Sequence, residues 1–502
     1  MRFKEMVGTI PVGFMKIGER KLKLLRVFDD EEADRIHALS LTLLQNLGVK
    51  VISETALNLL EGSGAEVDRN KRVAKIPAHL VEEALRKAPR SVTLYSRNPK
   101  LDLHVDGAHI FNITDGVASH VIDLESGERR PGCKEDLCRA AQIVDFLEYM
   151  NAIFTPLTPH DTPLHSHILH EFDAVLNNTE KHYCAGAIDD HRAIPYLVEM
   201  MAEIVGSGEE IRKRPIMSAC TCLVSPLIIP REGIDPFLEL AKYNVPISIV
   251  SMPILGATAP VTAAGSILIG NALILACLTI LELANPGLPV MYGSFPLTQD
   301  MRRGGNSGAS PEALLVIAGH NQMGRYYGLP VYSGGTTTAS KLPDAQSAYE
   351  KALGGFISAI TGADIGAGDI GILENYNTLC FEQMVIDYEI VTMMVKLLEG
   401  VGISDETLAL NTIMRVGCDG HYLTDKHTLA HFRETWEPMI SDFRPYDVWL
   451  KAGGRSATEA ARERVKTILK THVPAPLDRS VRERLGEILK RADKELAKAT
   501  AG

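Results

Sequence analysis

The sequence predicts an α/β protein: a (β/α)8 TIM barrel with a small α+β N-terminal extension and C-terminal helices. Three observations carry this. Eight short apolar segments between residues 107 and 400 are each followed by a helical pattern. Runs that are apolar in both alternations, set between helices, mark parallel strands covered on both faces. No Gly-x-Gly-x-x-Gly follows the first segment, which counts against an open doubly wound sheet. Eight units in about 290 residues fit a closed barrel.

Residues 1–106 read as the extension. Asp29 and Asp30 precede a helical face of Ile36, Leu39, Leu43 and Leu44, which Gly48 stops. Val49 to Ile52 is a short strand, and Ser53 caps a second helix. AEVDRNKRVAKI reads as a hairpin, 77–87 as a helix and SVTLYSR (91–97) as a strand.

Residues 107–400 read as the catalytic barrel. Its strands are HIFNIT (109–114), NAIFTPLT (151–158), HYCAGA (182–187) and IMSACTCLV (216–224), then ISIVSM (247–252), PVMYGS (289–294), PVYSGG (330–335) and DIGAGDI (364–370). A charged hairpin, VIDLESGERRP, separates the first strand from its helix at Lys134. Residues 401–502 are charged and helical, with apolar positions at helical spacing, and read as helices packed on the barrel or bridging subunits.

The chain has 502 residues and a net charge of −11, and no lysine or arginine block. Binding to nucleic acid through its phosphates is therefore not expected. Eight cysteines are scattered along the chain, as in a reduced cytoplasmic protein. The N-terminus has no apolar run of signal-peptide length. Residues 243–281 contain no charge, but Pro253, Gly256 and Pro260 break the run. An apolar strand and a helix buried all round explain it better than a membrane span. Cover from a second subunit would suit such a helix, so a homo-oligomer is expected.

A barrel of this kind places its chemistry at the C-terminal mouth. The strand ends deliver Asp115, His160 with Asp161, Asp189 with Asp190, Ser225, Ser294 with Phe295, Thr336 to Thr338, and Glu374 with Tyr376. Phe111, Phe154, Tyr292, Phe295, Tyr332 and Tyr376 put aromatic faces near that mouth. Each such face contributes roughly 0.5–2 kcal/mol to a desolvated quaternary ammonium. In FPLTQDMRRGGNSGASPE, Ser310 reads as an N-cap with Pro311 behind it. That helix start, or Arg302, would hold a substrate carboxylate. The expected substrate-binding set is Asp115, His160, Tyr292, Phe295, Arg302, Tyr332, Thr336 and Glu374.

PHDTPLHSHILHE clusters His160, His165, His167 and His170. It keeps a metal-dependent barrel hydrolase, using His160, His165 and His167, open as an alternative. Zinc needs three or four convergent ligands. No partner spacing supplies them, for these histidines or for Cys220 and Cys222, so no bound metal is expected. A non-catalytic binding protein for quaternary amines is the third reading.

LVEEALRKAPRSVTLYSRNPKLDLHVDG (80–107) and residues 304–353 together resemble the trimethylamine methyltransferase family, and the resemblance extends over nearly the whole chain. It implies a barrel with an N-terminal extension, active in one-carbon metabolism. Members transfer a methyl group from a methylated amine to the Co(I) centre of a corrinoid (cobalamin) carried by a separate protein. Trimethylamine-using members carry pyrrolysine, whereas this chain has only the standard residues. It therefore resembles the non-pyrrolysine branch, which uses quaternary amines such as glycine betaine, proline betaine or carnitine. The chemistry supports that division. Neutral trimethylamine would expel an amide anion, whereas a quaternary ammonium expels a neutral amine and needs no general acid. Lys341 lies in the family-like stretch and is assigned no catalytic role.

Overall fold

The computed structural model describes residues 24–500 apart from 187, 189 and 367, so Asp189 lies outside the described residues. Eight parallel strands form the centre: β1 (Phe111–Asn112), β2 (Ala152–Phe154), β3 (His182–Ala185), β4 (Met217–Leu223), β5 (Ile247–Ser251), β6 (Val290–Ser294), β7 (Val331–Ser333) and β8 (Ile365–Gly366). The ladder runs in sequence order from β2 to β8, and β8 pairs with β1. A parallel bridge between Ile113 and Ala152 joins β1 back to β2 and closes the cylinder.

Each strand is followed by a helix: α1 (Lys134–Phe146), α2 (His167–Leu176), α3 (Ile194–Val205), α4 (Asp235–Ala241), α5 (Ala263–Ala284), α6 (Pro311–Tyr326), α7 (Ala345–Ile360) and α8 (Phe381–Leu398). The strands' two faces serve two cores. Phe111, Phe154, Cys184, Cys220, Val250, Met291, Tyr332 and Ile365 point inward into one cluster. Ile153, Tyr183, Ala219, Ile249 and Tyr292 point outward into the helical layer.

Within 91–97 only Val92–Leu94 forms a strand, and it does not stand apart as a separate layer. Val92–Leu94 and Leu103–Val105 form a hairpin whose side chains complete the inner cluster. The hairpin is latched to the lower rim. Arg214 grips Asp102 through two bonds of 2.6 and 2.7 Å, and the His182 ring meets the Tyr95 carbonyl at 2.7 Å. The barrel is thereby closed below and opens only upward.

Helix α5 passes the length and apolarity criteria for crossing a membrane. The chain itself covers this helix: the helices Asp30–Asn46, Glu54–Gly62 and Ala78–Lys87 and α6 all pack on it. This replaces the expected cover by a second subunit, because the N-terminal extension already supplies the apolar surface. Asp29 caps the first of these helices with a reciprocal bond from Glu32, and Ser53 caps the second, as expected. At the other end Ala457–Thr471 packs on α8 and α1, and Arg479–Thr500 packs on α3.

Helix α7 approaches the loop after β7 at Gly354, where a Cβ atom would overlap the Gly335 carbonyl oxygen. Gly335 itself has φ 148°. Gly354→Ala is therefore expected to cost about 1–3 kcal/mol through overpacking, measured by denaturant unfolding.

Candidate active site

The upward opening holds a cup of acids and aromatic rings. Asp115, just beyond β1, is 7% exposed. Its Oδ2 accepts from the Tyr332 hydroxyl at 2.6 Å and its Oδ1 from the Gly116 amide at 2.7 Å. Phe295 stacks obliquely on Tyr332 at 5.5 Å and meets Tyr376 edge-on at 6.5 Å. The Tyr376 hydroxyl lies 3.2 Å from Thr337 Oγ1, which donates to Asp369 Oδ2. The other Asp369 oxygen is buried without a partner. Cys222 lies two residues beyond the inward Cys220 and keeps accessible surface, so there is free space beside it at the end of β4.

Strained backbone gathers here. Val117 (φ 50°), Asp369 (69°), Glu374 (57°), Asn375 (47°) and Tyr376 (76°) are left-handed non-glycine residues in the loops after β1 and β8. A β-branched residue there is a genuine outlier, and such strain persists where the surroundings enforce it, commonly at functional sites. Asn375 is clamped to the loop after β6: it accepts from the Gly308 amide at 3.3 Å and donates to the Asn306 carbonyl at 2.8 Å.

Burial and mutual repulsion set the electrostatics. Asp115 is held well above the usual carboxylate range by desolvation, then by the charge of Asp369. Desolvation pushes Asp369 up to about 6, against its bond from Thr337 and the charge of Lys351. Lys351 is wholly buried below the cup, where its Nζ donates to Asp387 Oδ2 at 2.9 Å and to the Asp369 carbonyl at 2.7 Å.

A pH effect on stability follows. A carboxyl with a raised folded-state pKa binds its proton more tightly folded than unfolded. Its contribution to stability is complete below the ordinary value of 3.8 and is lost as pH rises through about 6. Wild type should therefore lose stability relative to Asp369→Asn over that interval, as read by urea unfolding at stepped pH.

Of the residues expected at the site, Asp115, Phe295 and Tyr332 come together. The others are placed elsewhere. Tyr292 faces outward, and its hydroxyl donates to Asn271 of α5 at 2.8 Å. Thr336 turns its methyl toward Gly355 of α7, leaving Thr337 as the neighbour of the cup. Glu374 accepts from Arg129 at 3.1 Å and Thr378 at 2.8 Å in the rim sheet. His160 is exposed, with its ring 6.2 Å from that of His120.

Arg302 is exposed in the loop after β6, in an open groove of about 880 Å³ shared with Lys341. Ser310 caps α6 as expected, and its hydroxyl is used internally: it accepts from Ala313 and donates to Thr298 at 2.7 Å. Asp190 pairs with Arg192.

The histidine cluster does not converge either. His167 bonds Glu171 at 2.9 Å, His170 meets Asp493 at 3.1 Å, and His165 faces the Asp493 carbonyl at 3.4 Å. His165 and His170 reach the C-terminal helix while His167 is held within α2, and this divergence removes the basis for the hydrolase reading. Among the described residues no group of three or more His, Cys, Asp or Glu is placed to hold a metal.

Residues 7–497 match the family model described as trimethylamine methyltransferase. The chain belongs to the trimethylamine methyltransferase family. It is 33% identical over 468 residues to the trimethylamine methyltransferase MttB of Desulfitobacterium hafniense, covering 93% of this chain and 94% of that protein. It is 32% identical to MttB1 of Methanosarcina acetivorans, covering 94% and 96%. A glycine betaine methyltransferase of Desulfitobacterium hafniense is 29% identical, covering 94% and 98%. As a family member the chain is a methyltransferase acting on methylated amines, and the family implies a corrinoid partner.

Sequence reasoning missed Asp369, and it named Thr337 and Cys222 without placing them in the substrate-binding set. Asp369 was read into strand eight, which ends instead at Gly366. Gly366 and Gly368 just before it were the available signal for a turn. The choice between Thr336 and Thr337 is a one-residue question of strand phase, which an all-apolar strand does not answer.

Proposed function

We propose that this protein moves a methyl group from a quaternary methylated amine to the Co(I) of a separate corrinoid protein. One observation carries the choice of a cationic donor: three aromatic rings, Phe295, Tyr332 and Tyr376, stand beside two buried carboxylates in an open cup. Aromatic faces attract a desolvated ammonium, and Asp115 and Asp369 supply the opposite charge. The same cup would also suit a binding protein, and turnover separates the two.

Each residue then has a task. Asp115, fixed by Tyr332 and Gly116, faces the ammonium, whose charge favours the ionised form that burial and Asp369 oppose in the empty protein. Phe295, Tyr332 and Tyr376 fix the orientation of the methyl groups and exclude water. Asp369, held through Thr337 and Lys351, adds charge from the neighbouring loop. When the N–CH3 bond breaks, its electron pair returns to nitrogen, and the amine leaves neutral without a proton. The partner's cobalt supplies a two-electron nucleophile that accepts the methyl group. The accessible surface at Cys222 is where such an acceptor would approach in this reading.

Tertiary amines are expected to react poorly, because their departing nitrogen needs a proton that a quaternary donor does not. Mixing the protein with Co(I) corrinoid protein and a panel of amines checks this. Methylation from quaternary compounds but not from trimethylamine supports the proposal, and the reverse order contradicts it.

A homo-oligomeric, cytoplasmic enzyme completes the reading. The thiols are free, in keeping with a reducing compartment. The arm 401–455 exposes Leu423, Leu429, Phe443 and Tyr446, at 86, 73, 74 and 69%, and such apolar surface favours association. Light scattering that finds a monomer would remove the oligomer from this reading.

A further inference from the structure

We propose that the cup selects methylated cations that carry no anionic group, so that choline-like or tetraalkylammonium donors are preferred over betaines. This rests on the methyl-transfer reading and goes further by naming the substrate class.

A betaine needs two things of its site: an anionic or aromatic surface for the ammonium, and a cation or a set of free amides for the carboxylate. The cup supplies the first twice. Asp115 and Asp369 stand on neighbouring loops, with Gly368 against the Asp115 side chain and Phe295. Both Asp115 oxygens accept hydrogen bonds, from Tyr332 and from Gly116, an arrangement that suits the ionised form. Asp369 has one oxygen bonded to Thr337 and the other buried with no partner. An orphaned carboxylate oxygen in a closed position calls for a donor or a cation, and repels a second carboxylate.

For the second requirement the nearby cations are committed elsewhere, and the unpartnered donors at the strand ends are the neutral hydroxyls of Ser225 and Thr336, which carry no charge to offset Asp115 and Asp369. Lys351 lies below Asp369 and is committed to Asp387 and the Asp369 carbonyl. At the rim, Arg129 pairs with Glu374 and Arg192 with Asp190. Arg302 sits in the outer groove, and the start of α6 is closed by Ser310. In glycine betaine one methylene separates ammonium from carboxylate. Seating its ammonium among the three rings brings its carboxylate against Asp115 or Asp369. A hydroxyl in the same place meets acceptors it can donate to.

Calorimetric titration of the whole protein with tetramethylammonium, choline and glycine betaine reads this without turnover. Choline and tetramethylammonium are expected to bind at least about tenfold more tightly than glycine betaine. In Asp369→Asn, which removes one anion and keeps the shape, that ratio should fall several-fold. Glycine betaine binding as tightly as choline, or no binding by any of the three, overturns the proposal. A cation preference that is present in wild type and unchanged in Asp369→Asn overturns the role given to that residue. The cobalt assay is independent: choline that binds tightly and never donates its methyl refutes the transfer reading and leaves the selectivity standing.

Discussion

Asp115→Asn is expected to lower kcat/KM for methyl transfer from a quaternary amine by about 100- to 1,000-fold, the equivalent of losing roughly 3–4 kcal/mol from a desolvated charge pair. The amide keeps the volume of the side chain and an acceptor for Tyr332, and removes the charge. Folding should not suffer in proportion. Asp115 is an acid held out of water and repelled by Asp369, so ionising it costs stability in the empty protein. A melting temperature at or slightly above that of wild type, with transfer nearly lost, separates an electrostatic role from a structural one. Unchanged transfer would show that the ammonium lies elsewhere.

Lys351→Met is expected to destabilise the fold by about 3–5 kcal/mol, because it leaves Asp387 buried without its cation. Both side chains are fully buried, and the ion pair is 2.9 Å long. Lys351 also holds the Asp369 carbonyl at 2.7 Å, so its loss frees the left-handed turn that places the Asp369 carboxyl. Lys351→Met with Asp387→Leu should recover part of the stability. Recovery stays incomplete because Asp387 also accepts from the Gly371 amide at 2.7 Å and from Gln383 at 2.6 Å. Chemical denaturation of the single and double variants measures both terms. A loss below about 1 kcal/mol for the single variant would place this ion pair among those of little net value.

The barrel was legible because its signals are periodic and long. Strand-then-helix spacing, Ser53 and Ser310 as caps, and the charge-free stretch ending at Glu282 each pointed to the element observed. Side-chain direction was less legible. A strand buried on both faces has no polar alternation to fix its phase, so Tyr292 and Thr336 were assigned to the interior while Met291 and Thr337 lie nearer to it.

Long loops obscured the rest. Arg302, Glu374 and His160 follow strand ends in sequence, yet their loops run outward over the rim before turning back. Asp115 and Phe295 were found because each lies immediately beyond its strand, where little chain intervenes between register and position. Asp369 escaped notice because it was read inside strand eight, whereas its place depends on a backbone turn with φ 69°, supported from below by Lys351.

One titration bears on the whole argument: the absorbance of a Co(I) corrinoid protein followed after adding tetramethylammonium and either wild-type protein or Asp115→Asn. Rapid conversion to the methylated cobalt spectrum with wild type, slowed at least 100-fold in the variant, is the expected result. Equal rates in both, or no conversion with any quaternary amine, would contradict an acid-lined aromatic cup that hands a methyl group to cobalt.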